Sequence, residues 1–152
     1  MQQFQFRLDR VLEWYNRKTQ LEENRLATCL GLVHTVERNI ARLRAERDAI
    51  EQEILQRSPI PAPDFHNLGR YRLGARKEEL DLAEEYRQRL ASAEEQRLRV
   101  QRARQRVKLL EKMKDRRLQE YTIAASRELE AVAAEAYLAR WSKPESDTTI
   151  LG

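Results

Sequence analysis

The sequence predicts an all-α protein: two long helices forming an antiparallel coiled-coil hairpin, the second helix overhanging the end of the first. Three observations predict it. Charged residues make up 36% of the chain and aromatic residues only 7%, a composition suited to long helices that bury one narrow stripe and hydrate the rest. Apolar residues recur at alternating spacings of three and four. Helix breakers gather in one place: the stretch "QRSPIPAPDFHNLGRYRLG" (56–74) holds three of the four prolines and two of the four glycines. The apolar fraction of 41% and a net charge of only +4 argue against disorder over most of the length.

The first helix is expected over residues 1–57. One set of seam positions is Leu12, Thr19, Leu26, Val33, Ile40, Arg47 and Ile54; the interleaved set is Leu8, Tyr15, Glu22, Cys29, Val36, Leu43 and Ile50. Only Thr19, Glu22 and Arg47 interrupt the apolar stripe, the pattern of a sustained heptad repeat. Arg47 reads as a weak point, because a polar seam residue costs stability. Its replacement by Leu is expected to stabilise the hairpin by about 1 kcal/mol at most.

A bend is expected over residues 58–64. Pro59, Pro61 and Pro63 lack an amide hydrogen and disfavour helical angles in the residues before them. Asp64 then reads as the N-cap of a second helix over 65–142, opening with Phe65 and Leu68, its start able to slip to about residue 75 because of Gly69 and Gly74. The second stripe comprises Leu82, Tyr86, Leu90, Ala93, Val100, Val107, Leu110, Leu118, Tyr121, Ala125, Leu129, Val132 and Ala136. Pro144 and "ESDTTILG" mark a flexible tail, 143–152. At 1.5 Å per residue the arms are unequal, about 80 Å against roughly 100–115 Å, so Leu8 falls opposite residues 114–124. Ala125, Leu129, Val132 and Ala136 are then left without a partner in the chain.

No catalytic constellation is evident: no phosphate-binding glycine loop, no His-Glu-x-x-His, no paired cysteines. The expectation is a protein that is not an enzyme and takes neither cofactor nor metal. His34, just off the seam, and His66, in the bend, read as solvated residues; Cys29, the single cysteine, reads as a small buried hydrophobe. The N-terminus lacks the apolar run of a signal peptide and no stretch is long enough to span a bilayer, so a soluble cytoplasmic protein is expected.

Two features call for a partner. The segment "RLRVQRARQRVKLLEKMKDRR" (97–117) holds ten basic residues against two acids. It is either a solvated face or a partner-binding one, with Arg99, Arg102, Arg106 and Lys108 as the candidate basic face. Nucleic acid is not the expected partner, because this stretch has no aromatic residues to stack on bases. Near the N-terminus Phe4, Phe6, Trp14 and Leu21 lie off the assigned seam, and Tyr137, Leu138 and Trp141 mark the far end of the overhang. These residues either cap the hairpin's end or meet another protein.

Two stretches carry a family resemblance. "FQFRLDRVLEWYNRKTQLEENRLA" (4–27) resembles the opening of the flagellar export protein FliJ family, a Phe-x-Phe-Arg-Leu element running straight into a helix. "VKLLEKMKDRRLQEYTIAASRELEAVAAEAYLAR" (107–140) resembles that family's second characteristic stretch, with Leu110–Lys114 as its core. One departure is the run "ELEAVAAEA" (128–136), where the family has a more polar Gln-Lys-x-Leu-Asp-Glu-like run. The resemblance implies an antiparallel coiled-coil stalk of the type III flagellar export apparatus, working in the cytoplasm and peripherally at the inner membrane of the flagellar base. It implies a terminal end that inserts into the hexameric export ATPase, contact with the membrane export gate and with export chaperones, and a general chaperone role. The ring contacts would be Phe4, Phe6, Trp14, Leu129, Val132 and Trp141. The alternatives are an injectisome stalk of the same shape, a basic coiled-coil arm for nucleic acid, and a dimerisation rod that pairs hairpins into a four-helix bundle.

Overall fold

A computed structural model describes residues 2–57 and 59–142. Its elements are two helices, α1 (Asp9–Leu55) and α2 (Ala62–Ser142), packed against each other as a helical hairpin. The chain divides into two units, Trp14–Arg106 and Met1–Glu13 with Val107–Gly152.

In the larger unit the α1 seam follows the heptads. Tyr15, Thr19, Glu22, Leu26, Cys29, Val33, Val36, Ile40, Leu43, Arg47, Ile50 and Ile54 are all buried or half-buried. Facing them on α2 are Leu68, Tyr71, Ala75, Glu79, Leu82, Tyr86, Ala93, Gln96, Val100 and Ala103. Two helices alone enclose little: the most buried side chain, Val100, still keeps 2% of its surface exposed. Register is constant along the unit. The cross-hairpin pairs Glu22–Gln96, Tyr15–Arg106, Arg57–Asp64, Arg44–Glu79, Glu51–Arg72, Arg47–Glu79 and Glu23–Arg104 have residue numbers that total 118 to 127, a spread that long side chains cover and that does not drift along the unit. The two strands of the hairpin therefore run antiparallel without a slip.

The three polar interruptions of the α1 stripe each find a partner. Thr19 donates its hydroxyl to the Tyr15 carbonyl at 2.8 Å, the intrahelical bond that lets a threonine sit on a seam. Glu22 is buried with Gln96, whose side-chain amide donates to the Glu22 carboxylate and, at 3.0 Å, to the Glu22 carbonyl. Arg47 donates to Glu79 across the hairpin at 3.1 Å, and Arg44 donates to the same carboxylate at 3.0 Å. The expectation that Arg47 is an unpaired weak point is therefore corrected. Glu79 sits one turn from Ala75 and Leu82 on α2, a seam position that the reading of apolar residues alone passed over.

The bend is shorter than expected. α2 starts at Ala62, not at residue 65 or beyond, and the amides of Asp64 and Phe65 already donate to the Pro61 carbonyl. Pro63 falls in the first helical turn, where a missing amide hydrogen leaves no hydrogen bond unmade. Asp64 is thus not the N-cap but a first-turn acid, placed where the helix dipole favours negative charge, and bound by Arg57 at 3.3 Å. Gly69 and Gly74 lie inside α2; solvation of an exposed helix tolerates them, and a methyl group added at either would meet nothing within 4 Å. Leu90 is exposed rather than on the seam, because the spacing from Leu82 and Tyr86 carries the buried face to Ala93.

In the smaller unit, residues 2–6 are not helical, and α1 starts at Asp9 rather than at residue 1. Phe6 is buried, and Phe4 packs on Tyr121 with ring centroids 5.4 Å apart. The Tyr121 hydroxyl donates to the Gln2 carbonyl at 2.7 Å, and Lys114 binds Asp9 at 2.8 Å. Covering the Phe6 ring and part of the Phe4 ring offsets the few backbone bonds that continuing α1 upstream would add. The expected tail, 143–152, lies outside the described residues.

Candidate interaction surfaces

α2 continues beyond its last partly buried residue, Ala125, and every residue from 126 to 142 is exposed. Leu129 is 66% exposed, Val132 58% and Trp141 75%; Tyr137 and Leu138 are similarly bare. Tyr137 and Trp141 stack on each other with centroids 6.1 Å apart. Leu129 and Val132 lie on one side of the helix and Tyr137, Leu138 and Trp141 on others, and nothing from α1 covers any of them among the described residues.

The six residues expected at an ATPase ring do not share one environment. Leu129, Val132 and Trp141 are exposed as above. Phe6 is buried in its own chain and Phe4 half-buried against Tyr121, so both cap the smaller unit. Trp14 belongs to the larger unit and is exposed, packed edge-on against Tyr15 at 4.8 Å.

Five of the ten basic residues of the segment, Arg97, Arg99, Arg104, Lys114 and Arg117, are paired with acids. Arg97 grips Glu94 with two nitrogens, and hydrogen bonding from that guanidinium holds the Glu94 carboxyl below its ordinary range. Arg99 bonds Glu95, Arg104 reaches Glu23 on α1, and Arg117 bonds Glu120. Arg102 and Arg106 have no ion pair among the described residues. They line an open groove of about 180 Å³ with Arg99, Ala103, Tyr15, Lys18 and Glu22. Arg106 lies over the Tyr15 ring at 5.7 Å, and the Lys18 ammonium over the Trp14 ring at 5.2 Å. Lys108 lies in the other unit and is not part of this groove.

Sequence reasoning therefore found the three arginines, placed Tyr15 on the seam and assigned Trp14 to a different contact, and it missed Lys18; these last three residues come from the opposite arm. The signal was present: carrying the register set by the bend along the hairpin places Tyr15 opposite Arg106.

Among the described residues, no group of three or more His, Cys, Asp or Glu side chains could hold a metal ion, and no helix is long and apolar enough to cross a membrane. His34 contacts Glu37 at 3.0 Å on the surface, and Cys29 is half-buried on the seam. Comparison with protein-family models, with characterised proteins and with solved structures returns no match to this chain.

Proposed function

We propose that the chain is a non-enzymatic stalk of the flagellar type III export apparatus, acting in the cytoplasm and peripherally at the inner membrane of the flagellar base. In this reading the terminal helix of α2 inserts into the hexameric export ATPase and couples it to the membrane export gate, with a general chaperone role alongside. The observation that carries it is the exposed terminal stretch of α2, with Leu129 and Val132 on one side of the helix and Trp141 on the other. The Phe-x-Phe-Arg-Leu start and the Leu110–Lys114 core supply the family context. A single helix is about 10–12 Å across with its side chains, narrow enough to enter a ring pore. Burying one Leu or Val is worth about 1.5–3 kcal/mol, so two such side chains supply a large part of the roughly 8 kcal/mol of a micromolar contact.

The same exposed stretch supports a second reading, a dimerisation rod whose hairpins pair face to face. Sedimentation of the purified protein with and without a purified flagellar export ATPase separates the two. The stalk reading expects a monomer alone and co-sedimentation with the ring. A stable homodimer that ignores the ATPase supports the rod.

A further inference from the structure

We infer that the groove between α1 and α2 lined by Lys18, Arg99, Arg102 and Arg106 is a docking site for an acidic amphipathic helix of a partner protein, with Trp14 as its apolar anchor. The groove is electrostatically incomplete. Four cationic side chains line it with a single acid, Glu22, and among the described residues only Arg99 of the four has an acid partner from outside the groove, Glu95 at 3.0 Å. The Glu22 carboxylate is already engaged by Gln96 and, at 3.1 Å, by Arg25. Arg102 and Arg106 have no ion pair among the described residues, and their guanidinium groups suit carboxylates in a two-pronged grip.

Spacing favours a helix as the occupant. Arg99, Arg102 and Arg106 follow one another at three and four residues on one face of α2, spanning roughly 10 Å. Glutamates at the same spacing on a second helix repeat over the same rise, so a helix laid in the groove meets Arg102 and Arg106 directly and Arg99 by sharing it with Glu95. The stacked position of Arg106 on Tyr15 holds the guanidinium plane while leaving its edge donors open. Trp14, more than half exposed beside these cations, is the residue type that most often anchors an interface.

A single-stranded nucleic acid fits less well. Binding of that kind needs open aromatic faces on which bases stack. Here one face of Trp14 carries Lys18 and one face of Tyr15 carries Arg106. The inference does not depend on the export reading: it shares only Trp14 with the ring contacts of that reading and uses no residue of the terminal stretch.

The test uses the full chain carrying Trp141→Phe, which leaves Trp14 as the single tryptophan. The probes are an end-capped peptide of three Glu-Ala-Ala-Glu-Leu-Ala-Ala repeats, a permutation of the same composition that spreads the glutamates around the helix, and an oligouridylate of about twenty nucleotides. Trp14 fluorescence is titrated in low salt. The expected result is saturable binding of the first peptide, at least about tenfold tighter than the permutation or the RNA, and weakened at least about tenfold by Arg102→Gln with Arg106→Gln. Arg102→Gln alone, which removes no ion pair seen here, is expected to weaken binding by about threefold without changing helicity, so a loss cannot be ascribed to unfolding. Equal binding of the permutation, tighter binding of the RNA, or no effect of the arginine variants overturns the inference.

Discussion

Val100 and Val132 are the same residue on the same helix, yet one is the most buried side chain described and the other is 58% exposed. Val100 faces the α1 seam; Val132 lies in the stretch from 126 to 142 where no residue is covered. Local sequence does not distinguish them, because both sit on an apolar stripe of helical period. What differs is whether the other arm is long enough to reach them. A heptad stripe thus records that a face is meant to be covered, and only the chain's arithmetic records by what.

The sharpest way to break the comparison is to place the same charge at both sites. Val100→Asp leaves an unpaired carboxylate on the seam and is expected to cost about 3–5 kcal/mol. Val132→Asp is expected to leave stability unchanged within about 0.5 kcal/mol, as for surface substitutions generally. Thermal melting by circular dichroism reads both. Similar losses at the two sites would mean that the terminal face is covered after all.

The buried Glu22–Gln96 pair sharpens the account of the seam. Gln96→Ala leaves the buried Glu22 carboxylate short of a donor and is expected to cost about 1–3 kcal/mol. Replacing both residues by Leu is expected to be neutral or stabilising, because neither polar group is then desolvated. If the double variant is as unstable as the single one, packing rather than hydrogen bonding governs the site. Hydrogen exchange on the double variant would then report whether the hairpin keeps its register without a polar pair to fix it.

Arg47→Leu gives a smaller effect, and its expected sign is reversed by the contact with Glu79. The variant gains apolar burial but leaves Glu79 to Arg44 alone, so the expected change is a loss of up to about 1 kcal/mol. The smallest effect is at Gly74. Gly74→Ala adds a methyl group into open space on the helix and is expected to stabilise by about 0.5–1 kcal/mol. Denaturant midpoints at constant slope check both.

Much of the fold was legible because a two-helix seam is written in one period. The α1 heptads from Leu12 to Ile54 match the buried face position for position, Thr19, Glu22 and Arg47 included. What escaped were residues defined by the opposite arm. Gln96 and Glu79 are polar, so a search for apolar stripes on α2 passed over them, although Glu22 and Arg47 on α1 were asking for partners. With a helix carried back to residue 1, Phe4 and Phe6 fall off the seam and either cap the hairpin or meet a partner; outside a helix Phe4 packs on Tyr121 of α2 and Phe6 is buried. The basic groove was half legible. Three arginines on one helix face are visible in sequence, whereas Lys18 and the two aromatic rings join them only through the hairpin register.

In the proposed stalk, the exposed terminal stretch of α2 serves a protein partner and contributes nothing to the hairpin itself. The most direct measurement is the turnover of a purified flagellar export ATPase with wild-type chain and with Leu129→Asp/Val132→Asp, at matched folded fraction. The account predicts stimulation by the wild type and its loss in the double variant, whose melting temperature stays unchanged. Equal stimulation by the two proteins, or none by either, would contradict it.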